Sequence, residues 1–228
     1  MAKVFLGVGH GGKDPGATAN GLVEADINLV IALSCRDVLE RHGVTVLMSR
    51  YKDEDDIVSE EIKECNAFNP DLAIDIHTNA GGGDGFEIFH HYGGGVSKTL
   101  ASNINNEVIS IGQNSRGLKT KLNSAGKDYY AFIRSTNAPA VIAECAFIDN
   151  KTDIQIINSV EKQLVFGVAY AKGILKTLGI TYQDERPWYA DARDWCMRKN
   201  ITDGTNPQNY ATRAEIWTML YRTFSQMN

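Results

Sequence analysis

Four side chains stand where this sequence turns from an apolar run into glycine, polar residues or a helix: His10, Glu24, His77 and Glu144. Zinc takes three or four ligands from His, Cys, Asp and Glu, and a zinc that does chemistry keeps one position for water. His10, Glu24 and His77 satisfy that count, and what such a set lacks is a base. Glu144 ends the apolar run 139–143, where burial disfavours the ionised carboxylate unless a cation lies near. A zinc ion is the candidate cation.

Each of these residues also has an ordinary reading. A glycine-flanked His after a strand is commonly a loop residue, and Glu24 alone is a first-turn carboxylate that complements a helix dipole. Cys145, beside Glu144, is a nucleophile by type but sits in an apolar run where free Cys packs as a small hydrophobe. His42 falls at a helix end where a cation is favourable, and His90 and His91 stand beyond a strand without matching carboxylates. These three histidines read as structural or solvated.

The elements that must position the four residues follow from period and punctuation. Lys3–Val8 reads as a strand opening into Gly9-His10-Gly11-Gly12,. From Glu24 the apolar residues Ile27, Val30, Ile31, Cys35, Val38 and Leu39 form a helical stripe, with Gly43 as its cap,. Residues 44–48 form a second strand, 55–68 a helix broken at Asn69-Pro70, and 72–76 a buried strand ending at His77. Residues 86–89 form a strand and 96–109 a helix, while 112–128 read as a polar, irregular loop of the functional or mobile kind. Strands are expected at 129–134 and 140–145, and helices at 150–158 and 160–178. This alternation predicts an α/β fold, a mixed and largely parallel sheet flanked by helices, followed by a small helical C-terminal domain. His10, His77 and Glu144 then lie at the carboxyl ends of strands and Glu24 opens a helix, so all four can converge on the sheet edge where α/β folds bind ligands.

Composition narrows the function. The 228 residues, 43% hydrophobic, suffice for one good core and a small appendage,. The formal net charge is -5, and without a block of like charges a nucleic-acid surface is not favoured; residues 52–61 read as a solvated turn and helix face. Cys35, Cys65, Cys145 and Cys196 contain no C-x-x-C pair and suit a protein made in the cytosol. The first residues read as a strand rather than a signal peptide, and no run reaches the roughly 18 apolar residues of a membrane span.

Four segments in order resemble the zinc-dependent N-acetylmuramoyl-L-alanine amidase family, also called amidase-3. They are Gly9-His10-Gly11-Gly12 with Asp14-Pro15-Gly16-Ala17, Glu24-Ala25-Asp26-Ile27-Asn28-Leu29, Asp75-Ile76-His77-Thr78-Asn79-Ala80, and the run from Pro139 through Glu144 to Asn150. The resemblance covers residues from about 3 to 178. Asp75 stands where the family often has Ser, and Ala146 where it has Gly. Two residues before His77 on the same strand face, Asp75 is suited to orienting that ligand. Neither S-x-x-K nor G-x-S-x-G is present, which favours a water nucleophile over a covalent one.

The resemblance implies a peptidoglycan hydrolase cleaving the amide between N-acetylmuramic acid and L-alanine, with Zn2+ held by His10, Glu24 and His77. Glu144 would take a proton from water and return it to the leaving amine. Arg134 is a candidate contact for the oxyanion or a substrate carboxylate, with a plain surface arginine as its alternative, and residues 112–128 would line the glycan–peptide groove. The expected setting is a phage or prophage endolysin, made in the host cytoplasm without a signal peptide and acting on the cell wall after release. A sporulation or housekeeping autolysin is the alternative within the class. A non-catalytic wall-binding protein is the alternative outside it, against which the intact quartet stands.

Composition shifts at 179–187, which places a catalytic domain at 1–178, a linker at 179–187 and a small segment at 188–228 carrying Trp188, Trp195 and Trp217,. At about 40 residues that segment is near the limit of a self-sufficient core. Its tryptophan-led helix, Ile201-Thr202-Asp203-Gly204-Thr205 turn and Thr212-Arg213-Ala214-Glu215 helix start resemble a single S-layer homology repeat. The resemblance implies that Trp188, Trp195, Arg213 and Glu215 contact a secondary cell-wall polymer. That family commonly uses three repeats, so one repeat suggests a homo-oligomer through the C-terminal segment; a helical hairpin packed through its tryptophans is the simpler alternative. Thr212 and Glu215 also have capping-box spacing.

Overall fold

The computed structural model describes residues 1–183, 189–205 and 211–225. They fall into two units, Met1–Tyr182 and Gln183–Asn228. The first contains β1 (Lys3–Val8), β2 (Thr18–Ala19), β3 (Leu22–Val23), α1 (Glu24–Arg41), β4 (Thr45–Met48), α2 (Val58–Phe68), β5 (Leu72–Asn79) and β6 (Phe86–His90). There follow α3 (Val96–Ser110), β7 (Ser115–Lys119), α4 (Ala131–Ser135), β8 (Ala140–Phe147), α5 (Ile154–Ile157) and α6 (Val160–Thr177). Six strands form one sheet in the order β4-β1-β5-β8-β6-β7, and β2 pairs with β3. All pairings in the large sheet are parallel except β6 with β8. This is the mixed, helix-flanked α/β architecture expected from the alternation.

Strand parity decides what each face carries. On one face Val4, Leu6, Val8, Ile74, Ile76, Val141 and Ala143 pack with α1, α3 and α6 in the main core. On the other, Phe5, Ala73, Ala140, Ile142 and Phe89 pack with Cys65 of α2 and Phe132 and Ile133 of α4. Strands covered on both faces read as nearly continuous apolar runs, so a polar residue in the second row stands out. Going up that face towards the carboxyl edge, the apolar positions give way to Gly7, Asp75, His77 and Glu144. His77 lies opposite Glu144, which lies opposite Glu87, so three strands set three polar side chains in one row.

Three expected elements differ. The strand expected at 129–134 is instead the short helix α4, because its apolar residues Phe132 and Ile133 are adjacent and both buried against the sheet; alternation, the mark of a strand, is missing. The irregular loop 112–128 contains the edge strand β7, which offers little apolar signal beyond Leu118. The helix expected over 150–158 is reduced to α5, because the Asn150 side chain accepts the backbone N–H groups of Thr152 and Asp153 and holds a turn ahead of it.

The second unit contains α7 (Ala190–Arg198) and α8 (Arg213–Ser225). The capping box is formed: Glu215 N–H donates to Thr212 Oγ1 at 3.2 Å and Thr212 N–H to Glu215 Oε2 at 2.7 Å,. Trp195, Arg213 and Glu215 are exposed, as are Ile216, Trp217, Leu220, Tyr221 and Phe224, while Trp188 lies outside the described residues. Among the described residues no helix is long and apolar enough to cross a membrane.

Candidate metal centre

His10 follows β1 in the left-handed region, at φ 65°, which a non-glycine residue adopts only when its surroundings hold it there. Its Nδ1 lies 2.8 Å from Asp14 Oδ2, and Asp14 Oδ1 accepts the Gly16 N–H. With Nδ1–H donated to Asp14, the Nε2 lone pair faces Glu24 Oε1 at 3.4 Å,. Glu24 opens α1 and is buried. Its Oε2 accepts the Ala17 N–H at 2.9 Å and its Oε1 the Thr78 N–H at 3.0 Å. One turn on, Asn28 donates to Gly9 O and accepts from Thr78 Oγ1, tying helix and strands together beneath the carboxylate.

His77 sits near the end of β5, in space that only glycine leaves free. A Cβ on Gly9 would lie 2.2 Å from His77 Cε1. Its Nδ1 is 3.2 Å from Glu24 Oε1 and its Nε2 3.2 Å from Asp75 Oδ2, so donation to Asp75 leaves Nδ1 turned inward. The two imidazole rings meet edge to face with centroids 5.3 Å apart. One atom from each of His10, Glu24 and His77 lies within 4.8 Å of the others. Ligands at the usual zinc distance of about 2.0–2.1 Å, arranged tetrahedrally, stand about 3.4 Å apart; the nitrogen–oxygen separations of 3.2 and 3.4 Å match. The donor set also fits zinc, and both histidines carry a carboxylate on the outward nitrogen, the usual support of a metal-bound imidazole.

The electrostatics are those of a cation site holding protons. Burial pushes the Glu24 carboxyl up, but hydrogen bonds from His10 and His77 overcome this and hold it well below the usual range. The Glu24 bond raises His10. Burial lowers His77, yet Asp75 and Glu24 drive it well above an ordinary imidazole. Glu144, half-buried beside His77, is pushed by burial up to about 7, with His77 pulling down and Glu24, Asp75 and Glu87 pushing further up.

The structure thus brings together His10, Glu24, His77, Asp75 and, one strand over, Glu144. Arg134 Nη1 donates to the carbonyls of Asp128 and Tyr129, both at 2.7 Å, and so braces the turn ahead of α4. Cys145 is buried with its Sγ 3.3 Å from Thr78 Oγ1, and burial pushes its thiol up, away from nucleophilic use,. His42 and His90 are bonded locally, to Val38 O and His91 O, while His91 Nε2 meets a carboxylate the sequence did not reveal, Asp128 Oδ2 at 3.2 Å. Sequence reasoning missed Asp14, whose signal was its place four residues after His10. It also missed Arg50, fully buried and donating to the carbonyls of Val8 and Ala25, and Glu87, the polar break in Phe86-Glu87-Ile88-Phe89 that points to the Glu144 face.

Comparison with known proteins agrees with this geometry. The sporulation-specific N-acetylmuramoyl-L-alanine amidase of Bacillus subtilis (strain 168) is 38% identical over 157 residues, covering 67% of this chain and 59% of that protein. The endolysin of Bacillus phage SPP1 is 32% identical over 190 residues, covering 78% and 66%. The chain spans less than two thirds of the length of either relative. The structure of Cwp6 from Clostridium difficile superposes with a TM-score of 0.76 at 36% identity, covering 78% of this chain and 29% of that one. Residues 4–176 match the family described as N-acetylmuramoyl-L-alanine amidase, a span that holds every residue of the metal centre, and the chain belongs to that family.

Proposed function

We propose that this protein hydrolyses the amide between N-acetylmuramic acid and L-alanine in peptidoglycan, with zinc held by His10 Nε2, Glu24 and His77 Nδ1 and with Glu144 as the base. The observation that carries the reading is the convergence of those three ligand atoms with Glu144 in register beside His77. When bound, zinc supplies Lewis acidity that polarises a carbonyl and lowers the pKa of water towards about 7. Asp14 and Asp75 fix the tautomers that leave Nε2 of His10 and Nδ1 of His77 free to bind,. Glu144, with a carboxyl near 7 before the metal's charge lowers it, takes the proton of the attacking water and hands it to the alanine nitrogen as that bond breaks. Such a base is strong enough to accept and weak enough to return the proton near neutral pH.

Relatives of both lysis and sporulation type support an enzyme that degrades the wall, and we read this one as a phage-type lysis enzyme that acts on the wall after release. Residues 188–228 then serve as the wall-attachment segment, with exposed Trp195, Arg213 and Glu215 turned to a secondary wall polymer and with self-association of the tail supplying further copies. The test is the release of new amino termini from purified walls, with and without a chelator. Glu144→Ala is expected to retain zinc and lose activity. Loss of zinc in that variant would make Glu144 a ligand, and an unchanged rate would remove it as the base.

A further inference from the structure

Beyond Glu144 and Glu87 the row across the sheet ends in two cations. Lys119 Nζ donates to Glu87 Oε1 at 2.7 Å, the Arg116 Nε–H donates to the same oxygen, and Asn79 Nδ2 holds the other oxygen at 3.2 Å. Arg116 and Lys119 are three residues apart, so in a regular strand they would face opposite sides of the sheet. They meet because β7 is bulged: Phe86 pairs with Ser115 but Ile88 with Leu118, and Gly117 takes φ 82° to absorb the extra residue,. The Arg116 guanidinium rests 5.3 Å from the centroid of the Phe147 ring. Phe147 is itself seated against Gly83, where a Cβ would lie 2.2 Å from the ring. Two cations share one carboxylate, which leaves one positive charge. Among the described residues the terminal nitrogens of Arg116 make no hydrogen bond, and its side chain keeps 39% of its surface exposed.

We propose that Arg116 and Lys119 bind the pendant carboxylate of the second residue of the peptidoglycan stem, and so make the enzyme prefer stems in which that group is free rather than amidated. The inference rests on the amidase reading above. In that reaction the leaving nitrogen receives its proton from Glu144, so the alanine side of the bond lies towards Glu144 and the stem continues over β6 and β7. The second stem residue is glutamate joined through its side-chain carboxyl, which leaves the α-carboxyl pendant. It lies about two residues from the scissile nitrogen, or roughly 7 Å at 3.3–3.6 Å per residue. The strand of the cations is two spacings from that of Glu144, roughly 10 Å, and both side chains reach back over Glu87. The open guanidinium fork then offers the planar, paired donors that suit a carboxylate.

The test uses the zinc-loaded full chain and two preparations of uncross-linked glycan strands that differ only in whether the α-carboxyl of the second stem residue is free or amidated. The wild-type protein is expected to favour the free form roughly tenfold in kcat/KM, the size of one hydrogen-bonded charge contact. That ratio is expected to fall towards one in Arg116→Gln and in Lys119→Gln and to be partly kept in Arg116→Lys. The same gap is expected in strand binding measured with Glu144→Gln. Equal wild-type rates on the two preparations, or a full preference surviving both glutamine variants, would overturn the inference and leave the amidase reading standing. Cleavage of neither preparation would overturn both.

Discussion

Replacing Glu144 with glutamine separates chemistry, metal binding and stability in one protein. The variant keeps the shape of the side chain and removes its charge and its basicity. A positioned general base contributes about 10²–10⁴-fold, so kcat/KM on purified walls is expected to fall at least roughly a hundredfold while zinc content stays stoichiometric. Stability moves the other way. In the metal-free fold the carboxyl ionises at about 7 against an ordinary 4.5. Below pH 4.5 both folded and unfolded chains hold the proton and the group costs nothing. Between 4.5 and 7 the unfolded chain loses it first, and above 7 the full cost is present, at most about 3 kcal/mol. Glu144 keeps part of its surface in solvent, so the real figure is smaller. Glutamine carries no such cost. The chelated variant is therefore expected to melt several degrees above chelated wild type at pH 8, since 1 kcal/mol moves the midpoint of a domain this size by about 2–4 °C, and level with it at pH 4. Thermal melts at both pH values read this directly. A gap of the same size at both would refute the burial argument, and a variant that loses zinc would refute the assignment of roles.

Two further substitutions test the surroundings of the site. Asp75→Ala frees His77 Nε2 and is expected to weaken zinc about 10–100-fold, read by competition with a chromogenic chelator; unchanged affinity would make Asp75 a spectator. Glu87→Gln removes a negative charge that helps hold the Glu144 carboxyl up after burial has raised it, and leaves Arg116 and Lys119 unneutralised. Both effects lower the Glu144 value, and Glu144 must be ionised to act as base. The acid limb of the kcat/KM profile is therefore expected to move down by about half a pH unit or more, and a limb that stays or rises would contradict the row of interacting groups.

The sheet was legible because β1, β5 and β8 are buried on both faces and write themselves as continuous apolar runs. His10, His77 and Glu144 were legible because each interrupts such a run where it ends. Elements that break the simple period were hidden. Phe132 and Ile133 present an apolar pair that fits a short strand as well as one helical turn, and only their common burial under the sheet decides. β7 has one apolar residue and a bulge, so neither its existence nor the meeting of Arg116 with Lys119 could be read from spacing. Arg50 lies between a strand end and an acidic loop without a pattern, and its role is fixed by carbonyls brought to it from β1 and α1. Asp75 was legible as a partner of His77 by parity alone.

The strand that carries Glu144 is the last of the sheet in sequence, yet it lies third from one edge and joins β4-β1-β5 to β6-β7. All three proposed zinc ligands belong to β1, α1 and β5 and the turns next to them, within the first 77 residues. During synthesis the metal half of the site is therefore complete in sequence long before the base exists. β6 and β7 pair with each other and are joined to β4-β1-β5 by β8 alone. Contacts of such long sequence separation form late and slowly. A nascent chain thus holds all three proposed ligands before it holds the proposed base, and β8 both closes the sheet and sets Glu144 beside His77.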